Sequence, residues 1–193
     1  MRRTAALVVT FTLALAFPAV AGGPNNVVNA SPTSDGAKVY RTGVKVTSTG
    51  ADSITSTNLA FAHPSGCTGC EGIAAAYQAV IVTGNPSDVR PQNGAVAVNT
   101  DCTSCVAFAY AYQYVVSADR GTHLSSTGKA RIKDIRDEAN RLVRGGLTPT
   151  LDADLQALAV KFKAAVVDDL DRTGADPHAG VADADTDEAP AEG

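Results

Sequence analysis

The chain has no tryptophan, no His-Glu-x-x-His, no Gly-x-Ser-x-Gly and neither of the glycine-rich phosphate motifs. Each absence removes a chemistry. Without His-Glu-x-x-His a zinc peptidase has no ligand pair, and His63, His123 and His178 stand isolated along the chain. Without a nucleophile elbow the serine-hydrolase reading has no starting point. A basic excess is missing too. The 16 Lys and Arg face 20 Asp and Glu, a formal net charge of -4, so nucleic acid is not an expected partner. The acid excess is also local. Residues 171–193 carry seven acids against Arg172, whereas residues 22–170 hold 13 acids and 13 bases. Finally, no cysteine lies outside the stretch 58–119.

That stretch is one pattern written twice. Residues 58–84 read NLAFAHPSGCTGCEGIAAAYQAVIVTG and residues 93–119 read NGAVAVNTDCTSCVAFAYAYQYVVSAD. A shift of 35 residues lays Asn58 on Asn93, Cys67 on Cys102, Cys70 on Cys105, Tyr77 on Tyr112 and Gln78 on Gln113. Each copy has a short alternating apolar segment, a Cys-x-x-Cys, then an alanine-rich apolar run. The alanine, the cap candidates Ser65 and Thr68, and the stop at Gly84 predict a helix after each cysteine pair. Residues 37–49 alternate as a half-buried strand, and 53–63 read as its hairpin return. Further on, 125–144 and 151–170 carry apolar residues at helical spacing across a Gly145-Gly146 stop and predict an αα-hairpin. The expected fold is therefore α+β, with an N-terminal β-hairpin sheet, two repeated strand-helix units with Cys-x-x-Cys at the helix starts, and a C-terminal αα-hairpin.

The ends differ from this body. Residues 1–21 have the form of a secretory signal, with Arg2 and Arg3, an apolar centre from Ala5 to Phe17, and Ala19-Val20-Ala21 for cleavage. The uncharged stretch ends at Pro18, short of the roughly 20 residues a membrane span requires, so no span is expected after cleavage. Residues 22–170 form one duplicated domain. Residues 171–193, rich in Ala, Asp, Pro and Gly, bury too little apolar surface to offset ordering and read as a disordered acidic tail.

Three chemistries fit the cysteines. Export and an even count favour disulfides among Cys67, Cys70, Cys102 and Cys105. Local pairs close rings of four residues worth about 2 kcal/mol each, while crossed pairs closing 36 residues give about 4. Nothing in the spacing brings the two motifs within bridging distance, so local pairing is preferred and crossed pairing stays open. Thiol-disulfide exchange is the second chemistry, since a helix N-terminus would lower the first thiol's pKa. The lack of tryptophan counts against it, because no Trp-Cys-Gly-Pro-Cys surroundings exist. A four-cysteine zinc site is the weakest, with 31 residues between the motifs and an oxidising compartment. No metal and no cofactor are expected.

Two further features invite a binding role. Tyr77-Gln78 and Tyr112-Gln113 occupy equivalent places, where packing by the tyrosines and backbone bonds by the glutamines is the structural alternative. Lys129, Arg131, Lys133, Arg136, Arg141 and Arg144 populate one helix, interrupted by Asp134, Asp137 and Glu138; such a mixture is usually a solvated face, with docking to an anionic envelope polymer as the functional alternative.

The segments CTGCEGIAAAYQAVIVTGNPSDVRPQN and CTSCVAFAYAYQYVV resemble a family of uncharacterised secreted actinobacterial proteins. Similar modules occur as extracytoplasmic portions of proteins labelled putative peptide zinc metalloproteases. The resemblance covers residues 26–170 and implies a secreted module with this duplicated core and a following helical pair. It carries no catalytic residue. The expected function is an exported, disulfide-stabilised, non-catalytic binding or structural module, secreted or held at the cell envelope. Its partner would be an extracytoplasmic protein or envelope component. The alternative is an extracytoplasmic thiol-disulfide oxidoreductase using the Cys-x-x-Cys pairs.

Overall fold

The computed structural model describes residues 23–171 and 181–189. The expected signal segment lies outside them. Six strands alternate between two sheets: β1 (Asn25–Ala30), β2 (Lys38–Thr49), β3 (Ser53–Ala62), β4 (Glu71–Thr83), β5 (Asp88–Ala97) and β6 (Val106–Ala118). β1, β3 and β5 pair in parallel as one sheet; β2, β4 and β6 pair in parallel as the other. The chain therefore winds, each turn laying one strand on each sheet. This is a flattened parallel β-solenoid of three coils.

The register gives the coil length. Asn58 lies on Asn93 and Tyr77 on Tyr112, an offset of 35, so the sequence repeat is the second and third coils. The first coil is the same unit at shorter offset, with Asn26 on Asn58 and Val44 on Tyr77.

Two expectations are overturned here. The segments after the cysteines are strands, not helices, and β2 and β3 are not a hairpin, because they belong to different sheets. The physical reason is double-sided burial. In β4 and β6 one face looks into the solenoid and the other lies under helices, so both are apolar. A strand buried on both faces has the near-continuous apolar run that periodicity alone cannot tell from a buried helix.

The solenoid interior is mostly alanine on the cysteine side, and Ile54, Val80 and Val82 fill the other end. Ala30, Ala60, Ala62, Ala95 and Ala97 of one sheet meet Ala74, Ala76, Ala107, Ala109 and Ala111 of the other, all buried. Side chains this small let the sheets close tightly, and two glycines mark the limit. A Cβ on Gly72 would sit 2.7 Å from the Ala30 carbonyl oxygen, and one on Gly43 would sit 2.6 Å from Val28 Cγ2.

Helices α1 (Ser126–Arg144) and α2 (Leu151–Asp168) pack on the outer face of the β2-β4-β6 sheet. Ser125 caps α1 by accepting from the Gly128 N–H, and Arg141 and Arg144 sit in its last turn, where the dipole favours cations. Ile73, Tyr77 and Ile81 of β4, with Phe108, Tyr110, Tyr112 and Tyr114 of β6, meet Ile135, Leu155, Leu158 and Phe162 of the helices. A two-residue strand β7 (His123–Leu124) pairs with β8 (Leu170–Asp171), tying the start of α1 to the end of α2.

Within the expected disordered tail, β9 (Val181–Ala189) runs antiparallel along β6 and completes a four-stranded sheet. Low apolar content does not prevent this, because the ladder's hydrogen bonds come from the backbone and β6 offers an unpaired edge. Residues 172–180 and 190–193 of that expected tail fall outside the described residues.

Candidate functional site

The cysteines lie on the turn between β3 and β4 and on its copy between β5 and β6. Backbone bonds continue the ladder around this corner: Gly69 N–H donates to the Thr103 carbonyl at 2.8 Å, and Thr103 N–H to the Cys67 carbonyl at 3.1 Å. The turn needs two left-handed residues. In the second coil they are Gly66 and Gly69; in the third the same places hold Asp101 and Ser104, at φ of 51° and 55°. An L side chain costs about 1–2 kcal/mol there.

Both cysteine pairs are local disulfides. Cys67 bonds Cys70 with Cα atoms 6.3 Å apart, and Cys102 bonds Cys105 at 5.8 Å, both inside the range a bridge allows. The four residues are 5%, 1%, 8% and 0% exposed in sequence order. The pairs stack coil on coil, with Cys67 Sγ 3.6 Å from Cys102 Sγ and 3.9 Å from Cys105 Sγ.

This geometry changes the chemistry foreseen. Thiol activation by a helix N-terminus has no basis here, because each pair precedes a strand, whose net dipole is small. For a metal, Cys67, Cys102 and Cys105 place their sulfurs within 4.8 Å of one another. Each is already bonded as a disulfide, and a ligand must be a thiolate, so the set does not fit a soft cation in this state.

The Tyr-Gln pairs split between the two faces. Tyr77 and Tyr112 point toward the helices and flank Phe162, with ring centroids 5.9 and 6.2 Å away. The Tyr77 hydroxyl donates to the Leu155 carbonyl at 3.0 Å, and burial raises its pKa well above the usual value. Gln78 and Gln113 point inward. Gln113 Nε2 donates to Gln78 Oε1 at 2.6 Å, and Gln78 Nε2 to the Pro24 carbonyl at 2.6 Å. All four side chains are engaged within the fold.

A second amide ladder was visible in the sequence only as the match of Asn58 to Asn93. Asn26 Nδ2 donates to Asn58 Oδ1 at 2.9 Å, and Asn58 Nδ2 to Asn93 Oδ1 at 2.8 Å. Asn58 Nδ2 also reaches the carbonyls of Ala76 and Tyr112, both at 3.1 Å, so the ladder ties one sheet to the other. Glu71 was likewise not singled out. Its carboxylate accepts from the Leu147 N–H at 2.8 Å and the Tyr40 hydroxyl at 2.7 Å, and pairs with Lys38 at 3.2 Å. Burial pushes this carboxyl up, but those three partners outweigh it and hold it below the usual range. Tyr40 is pushed up to about 12 by burial and by its bond to Glu71. Glu71 thus fastens the loop between the helices to the cysteine corner.

The bases of α1 disperse. Arg131 pairs with Asp169 at 2.6 Å, and Arg141 lies 3.8 Å from Glu138, which also takes Lys161 at 2.9 Å. Lys129, Lys133 and Arg136 instead line one cleft beside β2. His63 Nε2 meets Thr100 Oγ1 at 3.0 Å, His123 Nδ1 meets the Gly121 carbonyl at 3.0 Å, and His178 is outside the described residues. Among the described residues no helix is long and apolar enough to cross a membrane. No family model matches this chain, and neither a curated protein nor a solved structure matches it.

Proposed function

We propose that this protein is an exported, disulfide-stapled module that binds or supports other components outside the cytoplasm and does no catalysis. One observation carries the reading: all four cysteines form buried, stacked disulfides at the corner where the two sheets of the solenoid join. Each bond locks the turn of its own coil, the second or the third, at the point where β4 or β6 begins. Residues 1–21 would direct export, and an oxidising compartment would keep the bonds formed. The partner is an extracytoplasmic protein or an envelope component.

The test has two parts. Peptide mapping without reductant, cleaving at Asp88 between the coils, is expected to return two separable pieces, each with its own disulfide. Redox titration is expected to give potentials below about -300 mV, as for structural bonds. Free thiols in the exported protein, or pieces that part only on reduction, overturn the reading.

A thiol-disulfide oxidoreductase is the second reading, favoured by the 3.6 Å approach of Cys67 and Cys102 sulfurs. In that chemistry an external dithiol first reduces the Cys102–Cys105 bond. The Cys102 thiolate then attacks Cys67, forming a Cys67–Cys102 bond and releasing the Cys70 thiolate. Catalysed insulin reduction, with a potential well above -300 mV, would select it.

A further inference from the structure

Along the first strand of the helix-covered sheet, α1 leans over β2 and leaves a cleft of about 370 Å³. Its floor includes Val46 of β2, Ile81 of β4 and Ile132 of α1; its rim carries Lys129, Lys133 and Arg136. Lys129, Ile132, Lys133 and Arg136 fall at i, i+3, i+4 and i+7, so one helix face supplies both the rim and part of the floor.

The charge gathered there is not a by-product of a basic protein, because residues 22–170 are balanced. Lys133 has an exposed partner in Asp137 at 3.0 Å, an interaction that solvent makes weak. Lys129 and Arg136 have no carboxylate partner among the described residues. Arg136 Nη2 donates to the Val44 carbonyl at 3.1 Å, which steadies the guanidinium at the mouth and leaves it other donors to offer. No carboxylate is among the described residues that line the cleft.

Taking the protein as a binding module, we infer that this cleft binds a single-chain anionic amphiphile, with the acid head on Lys129, Lys133 and Arg136 and the aliphatic chain over Val46, Ile81 and Ile132. The two halves of the site argue for this class together. A purely polar anion would leave Val46, the half-buried part of the floor, wet, while Ile81 and Ile132 are already buried; a neutral hydrocarbon would desolvate cations without pairing them. The volume is at the small end of ligand pockets, which suits one chain and not a branched lipid. A carboxylate and a phosphate head share the required charge.

Calorimetric titration of the disulfide-intact protein with decanoate, decyl phosphate, decyl maltoside and inorganic phosphate, below micelle-forming concentrations, tests this. At least one anionic amphiphile is expected to bind about ten-fold or more tighter than the neutral one and than inorganic phosphate. The tighter of the two identifies the head group. The double variant Lys129→Glu/Lys133→Glu is expected to weaken that binding roughly ten-fold or more, with the thermal midpoint only a few degrees lower at about the cost of the lost Lys133–Asp137 pair. The distant reversal Arg90→Glu is expected to leave it as it was. Equal binding of the neutral amphiphile, indifference to the double reversal, an equal loss from Arg90→Glu, or no amphiphile binding at all overturns the inference. None of these outcomes bears on the redox titration, so the cleft can fail while the disulfide-stapled module stands, and the reverse.

Discussion

The two faces of β4 and β6 are both buried and follow opposite rules. Inward, the side chains run from Ala74, Ala76, Ala107, Ala109 and Ala111 through Gln78 and Gln113 to Val80, Val82 and Val115 at the end away from the cysteines. Outward, they are Ile73, Tyr77, Ile81, Phe108, Tyr110, Tyr112 and Tyr114. Over its alanine stretch the inner face has little apolar area per residue and relies on closeness and on hydrogen bonds that repeat from coil to coil. The outer face supplies volume, and the helices exist to cover it. One face specifies the register and the other supplies most of the burial.

That contrast can be broken from either side. The largest effect is expected outward. Phe162→Ala, which empties the space between Tyr77 and Tyr112, should cost about 3–5 kcal/mol in urea unfolding. A cost below about 1 kcal/mol would mean that the helices are not the outer face's main support. Inward, Asn58→Ala strips a donor from the Ala76 and Tyr112 carbonyls and should cost about 2–3 kcal/mol. At the corner joining the faces, the pair Cys67→Ala/Cys70→Ala should lose about 2 kcal/mol, the loop entropy of a four-residue ring.

Acid gives a smaller effect with a fixed sign. Glu71 is held below the ordinary carboxylate value of 4.5, so its contribution is complete above that value and is lost as pH falls through its own lower pKa. Unfolding of Glu71→Gln compared with the parent between pH 7 and about pH 3 should show the gap between them closing in acid. A gap that widens would reverse the assignment. Tyr110→Phe should do least. The Tyr110 hydroxyl is buried with no partner among the described residues, so removing it should leave stability within about 1 kcal/mol of the parent, or raise it. A larger loss would reveal a bond at that hydroxyl.

What was legible in the sequence follows the same division. The cysteine pairs and the 35-residue shift could be read, because identical residues recur at identical places in the second and third coils. The first coil escaped notice. It has no cysteines, its offset to the second is shorter, and Arg41 and Lys45 stand where its neighbour has Ala74 and Gln78. Those charges have their own logic, since a charge at an inward position discourages another sheet from pairing at a free edge. The mistaken helices came from alanine. In β6 the run Ala107-Phe108-Ala109-Tyr110-Ala111-Tyr112 alternates small and aromatic with period two, the mark of a strand. Helix propensity is a weak prior, and here the packing of two sheets overrode it. The cleft was out of reach, because Val46 and Ile81 meet Ile132 only once the coils are stacked.

The roof formed by α1 and α2 has a further consequence. Packed helices stand 8–10 Å apart and neighbouring strands 4.7–4.9 Å, so each helix spans roughly two strands. Here α1 lies on β2 and β4 and α2 on β4 and β6, so the pair roofs the three parallel strands of that sheet. Any additional turn would carry its tyrosine-bearing face beyond the eaves and into water. Cover for the outer face is thus tied to the helical pair that follows the coils, and lengthening the stack by a whole turn would demand more of it.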